Sequence, residues 1–275
     1  MPRNSKEIIF QRKVAALVKR AQHLEDAEVK KVILLLAEAR KSVAATVAST
    51  DWQAFYLPQM QLAIERALEE FGMRYGVDLR DAQLSFWTEG VAFVDLPLAS
   101  VGITAALPAV DTTVLGIIQG YGAGLVKGLS RSAAQQINNE LALGLMGQKA
   151  PFDVMQAVGR NLKDASIFKS IAARAETITR TECGRALSAA SQARFEAAAA
   201  VVPGLKKRWT YGAARRRQPR YQHLGIDGQV RDVDQPFGVA GEALMYPRDP
   251  AGSAGNTINC QCYSTPWLAS FAAAA

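Results

Sequence analysis

Two cysteines one residue apart, Cys260 and Cys262, and an upstream histidine, His223, are the residue types best suited to chemistry in this chain. Two thiolates and an imidazole can supply three ligands to a structural zinc ion, with Asp249 or Cys183 available as a fourth. The Cys-x-Cys spacing is shorter than the two-to-four-residue spacer common in structural zinc sites. The same side chains offer a nucleophilic dyad, with Cys260 attacking and His223 as its base, suited to a small hydrolase or transferase. A third reading gives His223, Cys260, Cys262, Arg220, Asp227 and Asp249 purely structural duties. No stronger catalytic signature is present: there is no G-x-x-x-x-G-K-[ST] loop, H-E-x-x-H helix or G-x-S-x-G elbow. The only histidines are His23 and His223, and no residue is assigned a catalytic role.

The second chemical feature is charge. The formal net charge of +7 comes from 32 basic and 25 acidic residues. Between Gly204 and Gln222 stand Lys206, Lys207, Arg208, Arg215, Arg216, Arg217 and Arg220 with no acid among them, and the rest of the chain balances to zero. Interleaved with Trp209, Tyr211 and Tyr221, these cations can neutralise phosphates and stack on bases, the pattern of non-specific contact with double-stranded DNA. An acidic protein partner or a solvated loop are the alternatives.

The elements that must position these residues are mostly helical. Apolar residues recur every three to four positions from Lys6 to Val47 and again from Gln59 to Tyr75, where Gly72 and Gly76 are expected to punctuate the pattern. Ser130 reads as an N-cap opening a helix, Gly147 as its end, and Pro151 as the first turn of the next. An alanine-rich helix is expected from Ile167 to Val202, stopped by Pro203-Gly204. Arg180 and Glu182 on that helix are expected either to face solvent or to reach loops of a C-terminal module. Beyond Gly204 the helical period gives way to short β-prone runs at 207–211 and 244–246, with an Asp227-Gly228 turn between them.

The expected fold is therefore α+β, mostly α: a long helical two-thirds followed by a small C-terminal module with short strands. The expected divisions are a helical region at 1–128, a domain at 129–265 (helices 130–202, module 204–265) and a short tail at 266–275. With 49% hydrophobic and 21% charged residues the chain is not mostly disordered. Three cysteines make no disulfide framework, which points to a reducing cytoplasm, and no export leader is expected. The apolar stretch from Val91 to Val126 is broken by Asp95, Pro97, Pro108 and Asp111, so buried core is expected rather than stable membrane insertion. Its glycines leave transient membrane contact as an alternative.

The order of the C-terminal residues carries a resemblance. Arg180-Thr181-Glu182 comes first, then Trp209, Arg220-Tyr221-Gln222-His223 and Gly225-Ile226-Asp227-Gly228. Phe237, Gly241-Glu242, Leu244-Met245-Tyr246-Pro247-Arg248-Asp249-Pro250 and Asn259-Cys260-Gln261-Cys262 follow. In that order they resemble the phage Mu F-like minor head proteins, the head morphogenesis family of tailed phages. The resemblance covers roughly 120–263.

It implies a non-enzymatic component of the virion, assembled in the host cytoplasm and placed inside the capsid near the portal. The implied partners are the portal protein, capsid or scaffolding proteins and packaged DNA, with several copies around the portal. It also implies that Arg180, Thr181, Glu182, Trp209, His223, Asp227, Gly228, Tyr246, Pro247, Asp249, Asn259, Cys260 and Cys262 serve the module's structure. Some family members carry a toxin or transferase domain after this module; none is expected in the short segment after Cys262. An ejected protein that touches the host envelope is a further alternative. Two departures stand out: Gln261 occupies the place of the family's usual Arg, and Arg248 that of a frequent Gly. A left-handed backbone angle suits Gly and not Arg, so the loop at Arg248 is expected to turn differently.

Overall fold

The computed structural model describes residues 5–49, 56–104, 107–159, 166–212 and 220–268. The elements are α1 (Ser5–Ser49), α2 (Leu57–Ser100), α3 (Thr113–Leu145), α4 (Pro151–Val158), α5 (Ile167–Ala199), β1 (Leu205–Thr210), α6 (Tyr221–Leu224), β2 (Val230–Asp232), β3 (Phe237–Val239), β4 (Glu242–Leu244), α7 (Ala254–Thr257) and β5 (Tyr263–Leu268). The protein is thus α+β and mostly α, with long helices leading to a small antiparallel module.

Two compact units divide the chain: one from Met1–Asp26, Ala82–Ile118 and Arg180–Ala275, the other from Ala27–Asp81 and Gln119–Thr179. Among the described residues the elements of the second unit are all helices. Its core follows the heptad-like spacing of the sequence: Val32, Leu36, Ala39 and Val43 on α1, Ile64, Leu68, Phe71 and Tyr75 on α2, Leu129, Ala133, Ile137 and Leu141 on α3. The Tyr75 hydroxyl is satisfied by α5, donating to the Ala175 carbonyl at 3.0 Å and meeting Thr179 Oγ1 at 2.9 Å. A buried tyrosine in a helical core needs such partners.

Several expected breaks are absent. Gly72 and Gly76 do not end α2, which runs on through Pro97 to Ser100. Gly72 is small for another reason: a methyl group there would overlap Ser130 Oγ on α3. Ser130 is not an N-cap; it lies inside α3 and donates to the Val126 carbonyl at 3.2 Å. At the start of α3 it is Asp111 whose Oδ1 accepts the Thr113 N–H at 2.9 Å and its hydroxyl at 2.7 Å. The boundary expected at 128 consequently falls in mid-helix. Gly147 follows the end of α3 with φ +74°, and Pro151 opens α4.

In the other unit, Phe10, Val14, Val94, Leu98, Phe195, Ala198, Val202, Leu205 and Leu268 form one core. Within α1, Phe10, Val14, Leu17, Val32, Leu36 and Val43 are buried, while Ile9 and Leu34 are exposed. Gly90 lets α2 approach α5 closely, since a methyl there would overlap the Leu187 carbonyl, and Ser191 Oγ donates to the Gly90 carbonyl at 2.9 Å. The apolar 91–126 stretch supplies buried Phe93, Val94, Leu98, Leu115, Ile118 and Val126. Among the described residues no helix is long and apolar enough to cross a membrane.

The module begins with β1, the central strand of a sheet ordered β2-β1-β5, both pairs antiparallel. A separate β3–β4 hairpin pairs Phe237 with Leu244. Along β1, Leu205, Lys207 and Trp209 are buried and Lys206, Arg208 and Thr210 are half-buried. Period-two alternation thus sends one of the two adjacent lysines inward.

Candidate functional site

The site is built on a second small core made of Trp209, Phe237, Val239, Leu244, Cys260 and Cys262, with Tyr211 and Ile226 packed against it. Trp209 comes from β1 and meets the Phe237 ring edge-on at 5.3 Å and the His223 ring edge-on at 5.6 Å. The Asp227-Gly228 turn holds this strand in place. Gly228 takes φ +82° and donates to the Trp209 carbonyl, Trp209 donates to the Gln229 carbonyl, and Asp227 Oδ1 accepts the Tyr211 N–H at 2.8 Å.

His223, on the single turn α6, is 1% exposed, Cys260 0% and Cys262 1%, so the sequence-predicted trio is brought together inside the module. Both sulfurs lie 3.5 Å from His223 Nδ1. On the far side of the ring, Nε2 sits 3.2 Å from Asn256 Oδ1. Asn256 uses its amide group as donor to the Val239 carbonyl, which makes Oδ1 the acceptor. The proton therefore belongs on Nε2, and the Nδ1 lone pair faces the two sulfurs. Each sulfur also receives a backbone N–H: Cys262 N to Cys260 Sγ, and Gly212 N to Cys262 Sγ.

The two thiols are electrostatically unequal. Cys260 is held well below the usual thiol range by the hydrogen bond from Cys262, which together with the positive charge of Arg248 outweighs burial. Cys262 is pushed well above that range by burial and by sharing its proton with Cys260. Among the described residues both sulfurs of this polarised pair are enclosed.

Asp249 and Cys183 do not join the trio as ligands; among the described residues the cluster of potential metal donors is His223, Cys260 and Cys262 alone. Asp249 instead ties a turn, its two oxygens accepting the N–H groups of Met245 and Ala251. Pro247 is buried beside it, and burial together with Asp249 pushes the Tyr246 phenol up to about 12.

Arg248 is the main departure from the sequence-based expectation. It adopts φ +67°, the left-handed angle that a glycine would take, and the loop does not avoid it. Its side chain is 1% exposed: Nη1 donates to the carbonyls of Cys262 and Gly184, Nη2 lies 3.6 Å from Glu25, and the guanidinium stands over Tyr263. A methyl on Gly184 would overlap the guanidinium, so a glycine in the alanine-rich α5 makes the slot.

The α5 motif also distributes its contacts differently from expectation. Arg180 bonds Glu25 and Asp26 of α1, both at 3.1 Å. Glu182 takes both oxygens to Arg185, at 2.7 and 2.8 Å; burial raises its pKa, and Arg185 and Arg248 oppose the rise. Thr181 reaches the module, its hydroxyl accepting the N–H of Asn259, which sits at φ +53°.

The basic segment is not one surface. Lys207 is buried, its ammonium donating to Gln192 Oε1 at 3.0 Å and the Met245 carbonyl at 2.7 Å and lying 5.3 Å from the Phe237 ring centre. It is removed from the candidate DNA contacts, because an enclosed ammonium with two acceptors cannot meet a phosphate. Lys206 pairs with Asp232 across the β1–β2 register at 2.8 Å, an acid that linear sequence does not place nearby. Arg208 is half-buried, and Arg220 donates to the Ile258 carbonyl at 2.6 Å. Arg215, Arg216 and Arg217 lie outside the described residues.

Residues 135–265 match the family described as "Phage Mu protein F like protein". An uncharacterized protein of Bacillus subtilis, YqbB, is 34% identical over 114 residues, 41% of this chain and 36% of that protein. A protein of Enterococcus faecalis named NAD(+)–arginine ADP-ribosyltransferase EFV is 30% identical over 129 residues, 47% of this chain and 25% of that protein. The chain thus spans about a third and a quarter of these two relatives. No solved structure matches it.

Proposed function

Residues 135–265 belong to the phage Mu protein F-like family, and from that premise we propose that the chain is a non-enzymatic minor head protein of a tailed-phage virion. It is made in the host cytoplasm, enters the capsid with scaffolding or capsid proteins, and sits in several copies at the portal, where it contacts packaged DNA. The observation that carries this reading is the family match itself, which takes in the end of α3, all of α5 and the module. The burial of His223, Cys260 and Cys262 supports a structural rather than hydrolytic use of the trio. The transferase named among the relatives is matched over only a quarter of its length, so its activity is not carried over.

Contact with DNA falls to Arg208, Arg220 and the Arg215–Arg217 run, with Lys206 partly neutralised by Asp232. Co-expression with the portal protein of the same phage, followed by size-exclusion with light scattering, tests the placement. A salt-resistant complex of defined stoichiometry is expected, and no complex at low or moderate salt refutes portal association. For DNA, changing Arg215, Arg216 and Arg217 together to Ala should weaken binding to all sequences and flatten the log K against log salt slope by up to about 2.7, near 0.9 per lost phosphate contact. An unchanged slope removes this run from the interface.

A further inference from the structure

We propose that His223, Cys260 and Cys262 bind a zinc ion that fastens the C-terminal module. Nδ1 of His223 and the two sulfurs all lie within 4.8 Å of one another, the span that donors surrounding one tetrahedral ion require. The orientation is as informative as the distance. Asn256 fixes the proton of His223 on Nε2, leaving the Nδ1 lone pair directed at the sulfurs, which is how outer-shell partners prepare metal-bound imidazoles. Backbone N–H groups of Gly212 and Cys262 point at the sulfurs, and such donors stabilise thiolates rather than thiols. The donor set is soft and nitrogenous, which favours zinc over calcium or magnesium.

Charge balance supports the same ion. The buried charges around the site already pair, Arg248 with Glu25 and Arg185 with Glu182. Two thiolates beside a neutral imidazole would add two uncompensated negative charges to an apolar core, and a divalent cation cancels both. Three protein donors leave one coordination position, which a water molecule fills. Tyr211, packed on the same core, has a buried hydroxyl with no hydrogen-bond partner among the described residues.

The module's strands are short, three to six residues. The ion links α6 to the loop before β5, doing for this module what a disulfide does in secreted domains.

The test uses the full chain, purified under reducing conditions without an affinity tag that binds metal. Elemental analysis should give one zinc per chain, retained through dialysis. After removal with a chelator, titration with cobalt(II) should give the intense visible bands of a tetrahedral site and a thiolate-to-cobalt charge-transfer band. Cys260→Ser with Cys262→Ser should abolish both, while Cys183→Ser leaves them intact. If the double variant does not fold, the cobalt titration of the wild-type chain still decides the matter. No zinc in the purified protein together with no cobalt bands overturns the proposal, as does a stoichiometric ion unaffected by the double substitution in a folded chain. The outcome is independent of portal or DNA binding, so the failure of one reading leaves the other standing.

Discussion

Replacing Lys207 by Met tests whether the basic segment is a surface or is split by strand alternation. In the native chain the Lys207 ammonium is enclosed, and burial lowers its pKa from 10.5 to about 8, against the pull of Glu196, Asp234 and Asp249. The unfolded chain keeps the ordinary value. Below pH 8 both states carry the proton, so the unfavourable burial of charge is present in full. Between about pH 8 and 10.5 the unfolded chain holds a proton that the native chain has released, so wild-type stability rises with pH across that window. With these two values the rise from pH 7 to 9.5 is about 2 kcal/mol, which screening by nearby water brings to the order of 1 kcal/mol. Lys207→Met has no such proton. Its stability deficit relative to wild type should therefore grow by that amount between pH 7 and 9.5 in urea titrations followed by far-UV circular dichroism. Its affinity for DNA and the salt slope of that affinity should match wild type. A deficit that does not change with pH, or a salt slope that drops by about one, would refute the enclosed position of this ammonium.

Three further outcomes are expected. Gly184→Ala should lower stability by roughly 1–3 kcal/mol because its methyl overlaps the Arg248 guanidinium, whereas Gly116→Ala, with open space around it, should be neutral or slightly stabilising; thermal melts of the two variants make the comparison. Arg194→Ala removes a two-pronged pair with Asp95 at 2.6 and 2.7 Å and a bond to the Pro108 carbonyl, and chemical denaturation should show a loss of about 1–3 kcal/mol. In the chelator-treated chain, labelling of Cys260 and Cys262 by a thiol reagent near neutral pH should proceed no faster than opening of the module, because both are enclosed. Fast labelling that is lost in His223→Ala would instead revive the nucleophile reading.

What the sequence discloses and what it hides follow from the range of the forces involved. Apolar periodicity is local, so α1, α4 and α5 are legible in their residues, and the stop at Pro203-Gly204 is felt within a turn of the end of α5. The glycines mislead because a glycine inside a helix has two opposite causes. At Gly147 it ends α3 with a positive φ; at Gly72, Gly90 and Gly184 it permits a close approach to Ser130, Leu187 and Arg248, partners distant in sequence. Ser130 misleads in the same way, since a hydroxyl that can cap a helix can also bond the carbonyl four residues back.

The candidate site divides along the same line. Cys260 and Cys262 lie two residues apart, so any fold that buries one holds the other close, and spacing alone suffices to nominate them. His223 is a reasonable companion because the chain has only two histidines. Asn256 and Arg248 are invisible from sequence because their roles exist only once the loops close. Asn256 then fixes the ring proton, and Arg248 enters the slot at Gly184 and bonds the Cys262 carbonyl. Charge fails as a guide for a further reason: counting lysines and arginines along a strand ignores that neighbours face opposite ways. Lys206 meets solvent and Asp232 while Lys207 enters the core, so only a strand register converts a basic stretch into a basic surface.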